Sequence, residues 1–567
     1  MSHFTDCSLR AGPWSLDLVG ADLRGIRAGG REAVQRVYVA VRDRSWGTVP
    51  ARIVERRVEA GSDSFRIDLA VEHRREEIDF AWTATVTGAA DGTITYAFDG
   101  VARSTFVRAR IGLCVLLPRT LAGQRYRVAH ASGAGGTGTL PELIAADQPV
   151  LDIARISCGF GAGGEAELGF IGEVFEMEDQ RNWCDASYKI YGTPLALPYP
   201  VEIAAGTRVR QQVVLRMSAA PVTARDTAAL TIGPPSGRTL PTIGTRLPTG
   251  RLIGLDERQR LAALRLAHVR ADIALDDPLW RQALEHACSE ARAVSAPLEL
   301  AVRAGTPDAP WRDIARVLDR ERIGVVRVLV FDSATRTTPT ALAQAARVGL
   351  ATLDAPIGGG SDEHFCALNR ERPDASVLDV VAFDLHHQVH ARDDRSMMEN
   401  VAAIDDALAS ARALAGGRPI ALTPLTIDSR SRADARMRSD FGAAWLCAAL
   451  ARAASSGAAS VTCLEAAGPA GLVDGSDAFA TCHLLGEIAP FAQAAVLTTG
   501  DCGDLRVLAL QTSGRTRVLI ANVSPEPRPV RIEGLASART WRHIGRSDPH
   551  TLADATLTGY GVAVVDG

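Results

Sequence analysis

The sequence lacks paired cysteines: its ten are far apart, and none sits in a CxxC. The first residues, 1–16, carry acidic and polar side chains where a secretory signal needs an uninterrupted apolar core. A disulfide scaffold is therefore excluded, and reduced, mostly buried thiols are expected. Long apolar runs are missing as well. None approaches the ~20 residues that span a bilayer, and the richest, 441–450, is soon followed by Arg452. Charge of one sign does not predominate: 62 Lys and Arg stand against 66 Asp and Glu, a net charge of −4. The cationic residues are almost all arginine and are scattered, which excludes a nucleic-acid or anionic-membrane surface. There is no GxSxG elbow, P-loop or HExxH, so serine-hydrolase, nucleotide-dependent and zinc-peptidase chemistries are disfavoured. These absences predict a water-soluble protein of the cytoplasm.

What is present is an ordinary globular balance, 47% apolar and 23% charged, in 567 residues. That length needs roughly three or four domains. Up to about residue 215 the pattern is that of strands. Phe65, Ile67, Leu69 and Val71 alternate with polar neighbours, and residues 82–87 and 93–98 flank Asp91-Gly92, a hairpin signal. Residues 221–250, rich in Pro, Gly and Thr, read as a linker. Beyond it, short apolar runs at 268–275, 297–302, 325–331, 349–353, 377–383, 419–425 and 460–464, with an eighth near 494–497, alternate with amphipathic segments. Trp311, Ile314, Val317 and Leu318 share one helical face. Val401, Ile404, Leu408 and Ala411 share another, ended by Gly416-Gly417. About eight such units in some 250 residues fit a (β/α)₈ barrel better than an open doubly wound sheet. Residues 506–511 and 517–523 flank Ser513-Gly514 and begin a last β-domain. The expected architecture is an N-terminal antiparallel β-sandwich (1–220), a linker (221–250), a TIM barrel (251–498) and a small C-terminal β-domain (499–567).

In a barrel, chemistry gathers at the C-terminal ends of the strands. Glu465 ends the run 460–464, placed to act as a base or nucleophile. His386, His387 and His390 crowd into five positions beside Asp393 and Asp394. The His386/His390 spacing would suit a metal on a helix, but here it lies at a strand end without an evident second ligand cluster, so no metal and no cofactor is assigned. Gly358-Gly359-Gly360 would let backbone approach a ligand, or simply form a turn. Arg270 and Asp272 alternate on one strand as a buried ion pair or a substrate contact. The densest polar stretch, 175–189, lies outside the barrel. Its Glu178, Asp179, Arg181, Asn182, Trp183 and Lys189 suit a polyhydroxylated acid: carboxylates and amides hold hydroxyls, Arg or Lys holds a carboxyl, and Trp stacks on a sugar face.

At that stretch the chain resembles the D-apionate lactonase family, enzymes that hydrolyse D-apionolactone to D-apionate in bacterial apiose breakdown. The likeness runs end to end. It includes Gly29-Gly30-Arg31-Glu32, Trp46-Gly47-Thr48, Arg110-Ile111-Gly112, the stretch 175–189, His268-Val269-Arg270-Ala271-Asp272, Gln388-Val389-His390-Ala391, Gly442-Ala443-Ala444-Trp445 and Ser460-Val461-Thr462 leading to Glu465. Leu385-His386-His387 stands where the family pattern has an Ile-Asn-Pro type run. The resemblance implies the same three-part layout and a small sugar-lactone substrate.

Opening a lactone needs a base, oxyanion donors and an acid. The expected roles are Glu465 as base or nucleophile, His390 steadied by Asp393 as acid or oxyanion donor, and Glu178, Asp179, Arg181 and Asn182 as polyol ligands. The alternative is a barrel glycoside hydrolase with Glu465 as nucleophile. That enzyme needs a second carboxyl group, for which Asp362 or Glu363 could serve.

Overall fold

The computed structural model describes residues 4–220, 229–427, 434–500, 502–535, 540–546, 548, 550–551 and 555–567. The chain divides into two compact units, Met1–Arg181 with Ala186–Asp226, and Asn182–Asp185 with Thr227–Gly567.

In the first unit the described strands join into one continuous, wholly antiparallel 17-stranded sheet. The alternating positions Phe65, Ile67, Leu69 and Val71 all point into one apolar core with Trp14, Phe80 and Phe98. Ile78–Gly88 and Ile94–Ala102 form the hairpin expected around Asp91-Gly92. Gly92 takes a φ of +85°, a left-handed conformation that glycine enters without a Cβ clash, and its carbonyl accepts a hydrogen bond from Trp14 Nε1 at 3.0 Å.

The second unit holds a closed barrel of eight parallel strands: β1 Thr242–Arg246, β2 His268–Ala274, β3 Leu298–Ala304, β4 Val325–Asp332, β5 Ile357–Gly360, β6 Val380–His386, β7 Ile420–Thr426 and β8 Ser460–Ala467. β1 pairs with both β2 and β8, which closes the ring. Six strands fall where the sequence pattern puts them, and two do not. The first lies inside the stretch taken as linker. The run 349–353 ends a helix, Thr340–Gly349, and the strand comes later, at three consecutive glycines. Residues 494–497 belong to Ala495–Thr499, which pairs with Leu230–Thr239 and Leu505–Thr512 in the C-terminal sheet. Glu465 thus lies on strand eight, not strand seven. The stretch 221–250 contains two strands serving different sheets, and its residues 221–228 fall outside the described ones. The C-terminal hairpin Leu505–Thr512 with Arg515–Asn522 turns at Gly514 as expected.

Both helical faces read from the sequence are buried. Trp311, Ile314, Val317 and Leu318 lie in the helix Trp311–Glu321. Ile404, Leu408 and Ala411 lie in Ala403–Leu414, which ends before Gly416 and Gly417, both left-handed. No helix among the described residues is long and apolar enough to cross a membrane. Eight of the ten cysteines are buried.

The barrel interior is polar at one layer. Glu299 on β3 is fully buried and accepts hydrogen bonds from Arg327 Nε at 2.7 Å, Thr462 Oγ1 at 3.0 Å and Thr423 Oγ1. Burial opposes its charge, but the positive charge of Arg327, with His268 and Arg270 behind it, brings its carboxyl down to about 2. His268, also buried, bonds Thr462 Oγ1 at 2.8 Å, and desolvation pulls its imidazole down to about 4. Between pH 6.5 and 4 the unfolded chain therefore binds a proton at His268 that the folded barrel refuses, and acidification favours unfolding. Glu299 continues the loss. Its contribution is complete above its unfolded value of 4.5 and disappears as pH falls through about 2. The unfolding midpoint should thus drop steadily as pH falls from 7 to 4, His268 alone accounting for about 3 kcal/mol. Thermal melts of His268→Gln, which cannot titrate, should show a flatter slope over that window; an unchanged slope would disprove the assignment.

Candidate active site

Parallel strands in a closed barrel deliver their C-terminal residues to one mouth. From β1, β2, β3 and β8, with the loops after β4 and β5, this mouth receives Arg246, Arg270, Asp272, Arg303, Arg336, Asp362 and Glu465. Glu465 bonds Arg246, which lies 4.0 Å from Asp272. Asp272 accepts from Arg270 at 2.7 Å and lies 3.6 Å from Arg303. Asp362 accepts from three guanidiniums: Arg270 at 2.7 Å, Arg303 at 2.6 Å and Arg336 at 2.5 Å. Arg270 and Asp362 have no exposed side-chain surface, whereas Asp272 and Glu465 keep 18% and 21%. Among the described residues of this network four arginines face three carboxylates, which leaves one positive charge over. Such a surface suits a carboxylate product or an oxyanion.

β6 supplies the second half. Asp384 and His386, two positions apart, share a side of the strand. His390 follows four residues later. Its Nδ1 donates to Asp185 Oδ2 at 2.6 Å, and the other oxygen of Asp185 accepts from Asn400 Nδ2 at 2.8 Å. Asp185 comes from the four residues Asn182–Asp185, which count with the barrel unit although the chain on either side does not. The same four residues place Asn182 against Asn369, whose Nδ2 donates to Asn182 Oδ1 at 2.9 Å. They also set the Trp183 ring edge-on to His390, with centroids 6.2 Å apart, and to His364 at 5.3 Å, beneath the Arg370 guanidinium at 5.8 Å. Cys184 stands between them in a left-handed conformation, φ +63°. It is fully buried, and burial pushes its thiol well upward, so it stays protonated and is not a nucleophile.

Of the residues expected to be functional, Glu465, Arg270 and Asp272 form one connected charge network, and Asn182, Trp183 and His390 form a second cluster. The carboxylate recorded on His390 Nδ1 is that of Asp185. Asp393, expected in that place, accepts from Ser396 N at 2.9 Å and caps the helix Asp394–Asn400. Glu178, Asp179, Arg181 and Lys189 lie in the first unit. Asp179 and Arg181 are fully buried and bonded to each other at 2.7 and 2.8 Å, and Arg181 also donates to the carbonyls of Pro141 and Glu142. Burial pushes the Asp179 carboxyl upward against that guanidinium. The pair is built into the domain rather than offered to a ligand. Lys189, the only lysine in the sequence, holds Glu178 at 2.5 Å. His387 is fully buried, its imidazole pulled down to about 3 chiefly by desolvation, and accepts from Trp445 Nε1 at 3.2 Å. The glycines of β5 serve packing. A Cβ on Gly359 would meet Thr338 Oγ1 at 2.3 Å, and one on Gly360, φ +140°, would meet the Ala382 carbonyl at 2.3 Å.

Sequence reasoning missed Arg246, Arg303, Arg336, Asp185 and His364. Arg246 was hidden by the linker assignment. Asp185 sat within the recognised stretch but was not singled out. His364 is solitary in sequence and meets Asp384 and His386 only through the fold: metal-ligating atoms of the three lie within 4.8 Å of one another.

Three family models match the chain in order: the N-terminal domain of D-apionate lactonase over residues 3–220, its TIM barrel domain over 252–499 and its C-terminal immunoglobulin-like domain over 503–565. A D-apionate lactonase from Brucella anthropi is 32% identical over 464 residues, covering 74% of this chain and 73% of that protein. Among solved structures, a GH30 endoxylanase from Clostridium papyrosolvens is 9% identical with a TM-score of 0.44, covering 60% of this chain and 100% of its own. A 4-O-alpha-L-rhamnosyl-beta-D-glucuronidase from Fusarium oxysporum is 11% identical with a TM-score of 0.43, covering 59% and 99%. With all three domains matched in sequence order and a relative of this identity spanning most of both chains, the chain belongs to the D-apionate lactonase family.

Proposed function

We propose that this protein hydrolyses a sugar-acid lactone, D-apionolactone to D-apionate, in carbohydrate catabolism in the cytoplasm. The observation that carries the chemistry is the His390–Asp185 pair beside Trp183. A carboxylate on Nδ1 fixes the tautomer and orientation of the imidazole, which leaves Nε2 as the atom that handles the proton. The Trp183 ring offers an apolar face for a small sugar. Family membership supplies the reaction class, and mostly buried cysteines suit a reducing compartment.

Glu465 takes a proton from water, and the resulting hydroxide adds to the lactone carbonyl carbon. The tetrahedral oxyanion is held by the guanidinium of Arg246, already aligned by Glu465 and Asp272. The intermediate collapses by breaking the bond from the carbonyl carbon to the ring oxygen. The leaving alkoxide takes its proton from Nε2 of His390, which enters the step as an imidazolium paired with Asp185, giving a hydroxy acid; the proton taken up by Glu465 then returns through solvent to the imidazole. Arg270 and Asp272 hold the mouth in shape, and Asn182 with Trp183 contacts the polyol. The excess positive charge among the described mouth residues favours the carboxylate that forms.

Purified protein should release acid from D-apionolactone well above the background rate and leave aryl glycosides intact. Glycoside cleavage with lactones untouched would instead establish the glycosidase alternative. Glu465→Gln should lower kcat by about 10²-fold or more, the scale of a lost general base; a folded variant with near-normal turnover would remove Glu465 from the mechanism. Asp185→Asn should lower kcat by about 10²–10⁴-fold, because the imidazole loses its tautomer control. The double variant Asp185→Asn/His390→Ala should be no slower than His390→Ala alone. Additive losses would show that the two residues do not act as a unit.

A further inference from the structure

The cluster His364, Asp384 and His386 has no part in the reaction just described. Asp384 and His386 sit on the same side of β6 at its C-terminal end, and both are buried, at 6% and 8% exposed. His364 precedes the helix Phe365–Glu371, in the loop after the neighbouring strand β5. Its ring lies 4.1 Å from that of His386, and its Nδ1 has no hydrogen-bond partner among the described residues. One nitrogen of each histidine and one oxygen of the carboxylate fall within 4.8 Å of each other.

We propose that these three residues bind one divalent transition-metal ion of the zinc type. Two imidazoles and one carboxylate form the donor set of an open three-ligand site, in which protein fills three positions and water or substrate the fourth. Imidazole with carboxylate selects zinc, cobalt or iron(II) over magnesium or calcium, which prefer all-oxygen shells. The burial agrees with this. Asp384 and His386 lie out of water, where a cation is held with less competition from solvent. Two of the ligands stand on the barrel strand β6 and the third at the N-cap of the helix that follows the adjacent strand β5, so they are not all carried on one loop. Atoms sharing an ion with bonds of about 2.0–2.1 Å are about 3.4 Å apart, so closing onto it takes side-chain movements of about 1 Å. The ion would lie beside His364, whose ring meets Trp183, which in turn meets His390. Its open position would therefore take a hydroxyl or carboxylate oxygen of a polyhydroxylated acid held against that tryptophan. This site was not legible in the sequence, where His386 pairs by spacing with His390; in the fold, His390 belongs to Asp185.

Metal binding is tested separately from lactone hydrolysis. The whole protein, stripped with a chelator and dialysed, is titrated with Co²⁺ and followed by visible absorption, and with Zn²⁺ followed by elemental analysis after gel filtration. One equivalent of each should bind, Zn²⁺ displacing Co²⁺, and the Co²⁺ spectrum should show the intense bands of a low-coordinate site. His386→Asn and the partly exposed His364→Ala should each weaken binding at least about 100-fold, while His390→Ala binds as the parent does. Thermal midpoints of the stripped variants report whether each is folded. The proposal is overturned if the stripped parent binds neither ion stoichiometrically, or if folded His364→Ala and His386→Asn bind as well as the parent. Either result leaves the lactonase reading intact, and a lactone assay that fails with the metal bound leaves this site intact.

Discussion

Arg270 carries a guanidinium with no exposed surface through the top of the barrel, and the other charges at the mouth take their positions from it. Below, it donates to the Thr423 carbonyl at 2.5 Å and to Thr423 Oγ1 at 2.9 Å, in the same layer as Glu299. Above, it holds Asp272 and Asp362, and Asp362 in turn gathers Arg303 and Arg336. A guanidinium has five donors in a fixed plane, so it can satisfy three acceptors from its own strand, from β7 and from the loop after β5 at once; an ammonium could not fix their directions. Removing it would leave Asp362 buried with two cations and no central partner, and would strand Thr423. The polar interior is thus continuous with the polar mouth, and the geometry of Glu465 is inherited through Asp272 and Arg246.

The second cluster rests on a different constraint. Asn182–Asp185 are four residues of a longer turn, yet each of the four side chains is placed. Asn182 and Asp185 are nearly fully buried in amide and carboxylate contacts with Asn369, His390 and Asn400. The left-handed Cys184 lets the chain reverse so that Trp183 and Asp185 reach His390 together. In that arrangement the two oxygens of the buried Asp185 carboxylate meet His390 and Asn400. The imidazole is consequently oriented by a residue 205 positions earlier in the chain, and its tautomer depends on the turn being intact.

This separation explains what could and could not be read from the sequence. Glu465 and His390 were legible because they close or follow an apolar strand, and Arg270 and Asp272 because they alternate along one, where local pattern and barrel topology agree. The helical faces around Ile314 and Leu408 and the turns at Gly92 and Gly514 were legible for the same reason: one local rule determines each. β1 and β5 were not. Thr242–Arg246 is five residues long, follows a proline-rich stretch and shows no apolar run, and Ile357–Gly360 is nearly all glycine. Both are strands because closure of the ring requires them, a tertiary demand that propensity cannot reveal. Asp393 was assigned to His390 on sequence proximity, and it went to a helix N-cap, the local role that proximity favours.

The chain uses arginine almost everywhere a cation is needed, and its one lysine holds Glu178 in the N-terminal unit. At the mouth this has a chemical consequence. Every cation among the described mouth residues is a guanidinium tied to at least one carboxylate, so the positive charge is fixed in direction and does not follow a ligand as a flexible ammonium would. Preorganised donors of this kind need little rearrangement when an oxyanion forms, which is where electrostatic stabilisation gains most. The arginine-rich composition, the buried anchor at Arg270 and the carboxylate-bound His390 are therefore one solution to a single requirement: holding charge still at a site that water must enter.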